Sequence, residues 1–241
     1  MGAQKTDARN VIITIYVDDL IIGGDALKDV EHVKALLHKQ FDMKDLGELC
    51  YFLGIEMTRN EGGIWLSQNK YGLDMLKKYG MADCKPISTP LDHNLKLRID
   101  EGEVLDDATM YCRIVGSLMY MTISRPDLSC EVGLMSQFMQ LLRKPHLDVM
   151  RHILRYVRAT LDYALFYDAG TQVQVHGYTH SDWVGSVSDC RSTSGYMFSF
   201  GSRAITWSSK KQPIVALLST KAEYRGAAIA ACEVAWLEML L

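Results

Sequence analysis

The chain has 241 residues, a formal net charge of −3, and 48% hydrophobic against 23% charged residues. That balance gives apolar surface enough to offset chain entropy, which excludes disorder as the main state and leaves room for one large domain or two small ones. The longest apolar stretches, 11–17 and 20–22, fall short of the roughly 20 residues a bilayer-spanning helix requires, and Asp18 and Asp19 divide them.

Residues 11–17 are rich in β-branched side chains and 20–24 resume the apolar run, which together predict a buried β-hairpin with the two acids at its turn. Asp25 is placed to cap a helix to about residue 41, with Leu27, Val30, Val33, Leu37 and Phe41 on one face. A strand over 49–57, a turn at 61–63, a partner strand over 64–67 and a helix over 69–79 follow. The stretch 83–107 turns polar, carries Pro86 and Pro90, and predicts a linker. Three amphipathic helices are expected over 107–123, 127–142 and 146–160, the first two ending before Pro126 and Pro145. The last segment returns to strands at 161–167, 173–179, 195–200 and 203–208, then closes on an alanine-rich helix over 219–241. The six cysteines are scattered with no CxxC pair, so they are expected reduced, as small core hydrophobes. With no apolar leader in the first ten residues, the expected location is cytoplasmic or nuclear, not secreted.

Tyr16-Val17-Asp18-Asp19 is the most informative tetrapeptide. Two adjacent carboxylates beside a low-dielectric hairpin call for a positive partner, and magnesium suits them because it takes hard oxygen ligands and fills its shell with water and phosphate. The plainer alternative is a solvated Asp-Asp turn. At this word the chain resembles the reverse transcriptase of Ty1/copia-type retrotransposons. The resemblance continues in order through Phe41-Asp-Met-Lys-Asp-Leu-Gly47, Tyr51-Phe-Leu-Gly-Ile55, Leu66-Ser-Gln68, Asp83-Cys-Lys-Pro86, Arg113-Ile-Val-Gly116 and Ser124-Arg-Pro-Asp127. It implies that Asp18 and Asp19 are the catalytic, metal-binding carboxylates of a polymerase site, with Mg2+ as the cofactor. A two-metal mechanism also needs an aspartate from an earlier palm strand. Asp7 is the sole acid before Asp18 and stands too close to form that strand, so the chain alone is expected not to polymerise DNA.

Residues 173–241 resemble the RNase H domain of the same family, on the words Ser181-Asp-Trp183, Arg191-Ser-Thr-Ser-Gly-Tyr196, Trp207-Ser-Ser-Lys-Lys-Gln-Pro213 and Ala222-Glu-Tyr224. The resemblance implies that Glu223 is the helix glutamate of the cleavage site. His180 occupies the position of the family's first aspartate, and magnesium prefers oxygen to its nitrogen. Asp182 lies two residues on, where strand alternation turns it to the same face about 6–7 Å away. Cleavage by this site is therefore not expected.

Basic residues supply further candidates. Arg151, Arg155 and Arg158 share one helix face and form a possible phosphate track, as do Lys210 and Lys211 beside Trp207; solvated faces are the alternative for both. The fold expectation is α+β: a partial reverse-transcriptase palm hairpin with a helical thumb and connection region, then an incomplete RNase H-like mixed sheet and helix. The boundaries are 1–82 for palm and thumb-like region, 83–107 for the linker, 108–160 for the helical connection and 161–241 for the RNase H-like part. The implied partners are an RNA–DNA hybrid or other nucleic acid and the remainder of the Pol polyprotein, with no membrane. The rival reading is a domesticated, non-catalytic nucleic-acid-binding module.

Overall fold

In the computed structural model, residues 10–92, 95–170 and 174–240 are described, and the chain divides into two units, Met1–Cys50 and Tyr51–Leu241. Asp7 lies outside the described residues. In the first unit, β1 (Val11–Tyr16) and β2 (Asp19–Gly24) pair antiparallel from Val11↔Gly24 to Tyr16↔Asp19, and α1 (Leu27–Gln40) follows. The expected burial of the hairpin is not found: Ile12 is 69% exposed and Ile15 71%. A two-stranded ribbon has two apolar faces, and α1, which packs beside β2 through the buried Val30, covers only part of them. Asp25 is not the helix cap either. Its carboxylate accepts the Asn10 N–H at 3.0 Å, tying the hairpin ends together, and Ala26 precedes α1 without a side-chain cap.

The second unit begins with an antiparallel sheet of β3 (Tyr51–Phe52), β4 (Ile55–Asn60), β5 (Gly63–Ser67) and β6 (Ala164–Asp168), in that order. The single strand expected over 49–57 is thus two, reversed at Leu53 and Gly54, both at positive φ (47° and 77°). Left-handed backbone at both central residues is what a two-residue hairpin of matching twist demands, and Gly54 supplies it without steric cost. β6 pairs with β5 from Gly63↔Asp168 to Ser67↔Ala164, so the strand expected at 161–167 stands apart from the C-terminal sheet.

Helices α2 (Asn69–Lys78), α3 (Thr109–Met121), α4 (Ser129–Ser136) and α5 (Lys144–Ala159) build the main core around the fully buried Leu76, Leu118, Met135 and Ile153. Asp107, two residues before α3, accepts the Thr109 N–H at 2.8 Å. The region expected as one helix over 127–142 is a 3-10 turn at Pro126–Leu128 followed by the shorter α4. The third sheet is β7 (Val175–Ser181), β8 (Thr193–Phe200) and β9 (Arg203–Lys211), against which α6 (Ser219–Leu240) packs. It is wholly antiparallel where a mixed sheet was expected, because short connections between sequential strands allow only that pairing. Trp207 Nε1–H donates to Thr122 O at 2.9 Å and fixes this sheet to the end of α3.

None of the cysteines is buried, so the expectation of core packing fails for them; all six are free. Leucine, isoleucine, valine, methionine and aromatic side chains fill the core instead. Among the described residues, no helix is long and apolar enough to cross a membrane.

Candidate functional site

At the tip of the first unit, Tyr16↔Asp19 is the last strand pair, so Val17 and Asp18 form the turn and Asp19 opens β2. Val17 has φ 51°, a left-handed conformation that is an outlier for a β-branched residue and costs of order 1–3 kcal/mol. Strain of this kind concentrates at functional sites. Asp18 and Asp19 are exposed, and neither carboxylate makes a hydrogen bond or ion pair with another described residue. Two hard, unshared oxygen donors side by side fit magnesium, which needs only one or two protein carboxylates and takes water and phosphate for the rest. Bound there, the ion would supply charge neutralisation for phosphoryl transfer. No group of three or more metal-capable side chains occurs among the described residues.

The acids of the C-terminal sheet are arranged differently. Gly226 lets α6 approach β7 closely, since a Cβ there would lie 2.4 Å from Ser181 Oγ. One turn earlier, Glu223 Oε2 accepts the Ser181 N–H at 3.1 Å, and Glu223 Oε1 lies 3.3 Å from His180 Nδ1. Asp182 does not join them: its carboxylate accepts the Thr193 N–H and lies over Gly185. It has left the strand by then, so simple alternation no longer governs its direction.

The basic candidates are separated as well. Arg151 Nη1 lies 3.5 Å from Asp148 on the exposed face of α5. Arg155 Nε donates to Lys85 O at 2.7 Å, Arg158 Nε to Ala82 O at 2.8 Å, and His152 Nε2 to Thr89 O at 3.0 Å. Together these side chains clasp the stretch 82–89 to α5. Lys210 is exposed, whereas Lys211 Nζ lies 2.9 Å from Asp189 and donates to Ser186 Oγ at 3.0 Å. Partial burial raises the Asp189 carboxyl, but Lys211 and Ser186 outweigh it and hold it below the usual carboxylate range.

Two polar centres escaped the sequence reading. His146 is fully buried and stacks on Phe138. Its Nδ1 accepts the Arg143 N–H at 3.1 Å, so Nε2 carries the proton it donates to Arg98 O at 3.0 Å. Burial pushes this imidazole below its ordinary value of 6.5. Its signal was its place three residues after Arg143, the spacing of a capping box. Arg125, 3% exposed, forms two hydrogen bonds to Asp127 and two to Thr160, while Tyr156 OH donates to Asp127. Burial and the neighbouring carboxylate push the Tyr156 hydroxyl up to about 12. The Ser124-Arg-Pro-Asp127 word is therefore a structural lock in this fold.

The reverse transcriptase (RNA-dependent DNA polymerase) family profile matches residues 1–93. The Pol polyprotein of transposon RE1 from Arabidopsis thaliana is 41% identical over 231 residues, covering 96% of this chain and 16% of the polyprotein. That of transposon TNT 1-94 from Nicotiana tabacum is 38% identical over 240 residues, covering 96% of this chain and 18% of the polyprotein. An uncharacterised mitochondrial protein of Arabidopsis thaliana is 37% identical over 224 residues, 93% of each chain. No solved structure matches. The chain belongs to the reverse-transcriptase family of copia-type retrotransposon Pol proteins. It spans about a sixth of the length of the Pol polyproteins it matches.

Proposed function

We propose that this chain supplies the metal-binding hairpin of an RNA-directed DNA polymerase, with Asp18 and Asp19 holding Mg2+ against nucleotide phosphates, and an RNase H-like part over 174–240 that engages RNA–DNA hybrid without cutting it. The observation that carries the reading is the strained turn at Val17 with two unshared carboxylates beside it. Phosphoryl transfer by paired cations needs a further acid beside Asp18 and Asp19, and in this reading the remainder of a Pol polyprotein supplies it. Its partners are the remainder of a Pol polyprotein and a nucleic-acid duplex. Lys210 is the basic candidate left open to phosphate, because Arg155, Arg158 and Lys211 already hold groups of this fold and Arg151 pairs with Asp148 at the surface.

The test is primer extension on an RNA template with Mg2+. The isolated chain is expected to give none, and co-expression with the preceding part of the RE1 polyprotein is expected to restore it, with Asp18→Asn abolishing the restored activity. Extension by the isolated chain would overturn the inactivity, and an unimpaired Asp18→Asn complex would overturn the role of Asp18.

A further inference from the structure

The C-terminal sheet and its helix meet their own negative charge. Residues 174–240 hold five acids, Asp182, Asp189, Glu223, Glu233 and Glu238. Asp182 accepts from the Thr193 N–H, and Asp189 pairs with Lys211 and Arg191. Glu233 accepts from Thr206 Oγ1 at 2.7 Å, and Glu223 is engaged by Ser181 N–H and faces His180. A divalent cation arriving here would have to displace a bonded donor at four of these five positions, and at Glu223 it would meet an imidazole in place of a second carboxylate. Magnesium and manganese of similar hardness favour oxygen ligands, so the residues present do not fit them.

We propose that the junction of β7 and α6 is closed to hard divalent cations because His180 takes, beside Glu223, the place of a metal-sharing carboxylate, and that the single exchange His180→Asp reopens it. The choice of position 180 rests on the RNase H-like reading, whereas the geometry is independent of it. Position 180 is well suited to the exchange. The His180 side chain is 80% exposed, so its replacement disturbs no packing, and the close approach at Gly226 keeps Glu223 within reach of the new carboxylate. The exchange removes a nitrogen ligand and sets a hard oxygen ligand where Nδ1 now faces Glu223.

Mn2+ serves as the probe, titrated into the full chain carrying Asp18→Asn and Asp19→Asn so that the hairpin does not contribute. Free Mn2+ is followed by electron paramagnetic resonance, and paramagnetic broadening of the Ser181 and Glu223 amide signals locates the ion. With His180 present, those amides are expected to stay sharp at millimolar Mn2+, and Glu223→Gln is expected to change nothing. H180D is expected to bind at least about tenfold more tightly and to broaden both amides, because a carboxylate beside Glu223 adds direct charge attraction for the ion. Adding Glu223→Gln to H180D should abolish the gain. Broadening in the His180 chain that matches H180D would overturn the proposal, as would loss of a site on Glu223→Gln alone, or an H180D chain of unchanged melting temperature that gains nothing. Binding to an RNA–DNA hybrid is measured on the same samples. Its absence would count against the RNase H-like reading and leave the closure intact.

Discussion

Two places in this chain bring acids to the end of a β-strand, and they treat them in opposite ways. At the hairpin tip, Asp18 and Asp19 stand in solvent without a donor from any described residue, beside a valine held in a left-handed turn. At the junction of β7 and α6, Glu223 is bonded to a strand-edge N–H and faces an imidazole, and Asp182 is bonded to the neighbouring strand. An acid that its own fold leaves unanswered adds nothing to that fold and is available to an outside cation. An acid bonded to a strand edge supports the fold and has lost that availability. The contrast separates acids left open to an outside partner from acids used by the fold, although both carry the same functional group.

The largest expected effect lies where an internal donor is most buried. Arg125→Met strands Asp127 and the Thr160 carbonyl, and should lower stability by about 3 kcal/mol, at the lower end for a broken buried pair because Asp127 keeps part of its side chain in water. Urea unfolding of the full chain measures it, and a loss under about 1 kcal/mol would mean that the Ser124-Arg-Pro-Asp127 word does not lock the helices. His146 provides a pH-dependent version of the same logic. Its folded value lies below the unfolded 6.5, so its contribution is fully present above that pH and is lost as pH falls through and below it. The melting temperature should hold steady between about pH 8 and 7 and decline below about 6.5, and His146→Asn should flatten that decline. Carboxylates held low by their partners, such as Asp189, add their loss only in the more acidic range, so the two phases are separable.

Legibility in the sequence followed the reach of the physics. Apolar periodicity marked α1, α3 and α5, because one buried face repeats every three to four residues. The hairpin and its acids were legible from β-branched residues interrupted by Asp-Asp. What periodicity cannot carry is the identity of a partner far away in the chain. The pairing of β6 with β5 joins residues about a hundred positions apart, and the bonds from Arg155 and Arg158 to carbonyls near residue 85 are made to backbone, which leaves no mark on the side chains there. The exposure of Ile12 and Ile15 was hidden for a related reason: an apolar ribbon predicts that something covers it, not what does. At the C-terminal sheet, His180 and Glu223 were both candidates of interest in the sequence, while the contact between them needed the close approach at Gly226.

Two smaller effects complete the contrast. Glu223→Gln keeps an acceptor for the Ser181 N–H and removes only a half-exposed charge, so its cost should stay below about 1 kcal/mol, readable as faster amide exchange at Ser181 without a change in the global unfolding midpoint.

The paired replacement Asp18→Asn and Asp19→Asn should cost least of all. Both side chains are exposed and bonded to no described residue, so removing their charge should move stability by no more than about 0.5 kcal/mol. The same change should remove the Mn2+-induced broadening of the Tyr16 and Leu20 amides, which flank the acids in the hairpin. That combination, unchanged folding with lost cation affinity, is what an acid reserved for an outside partner must show. A marked loss of stability instead would mean that these carboxylates have donors of their own, and the two acidic places would then differ only in degree.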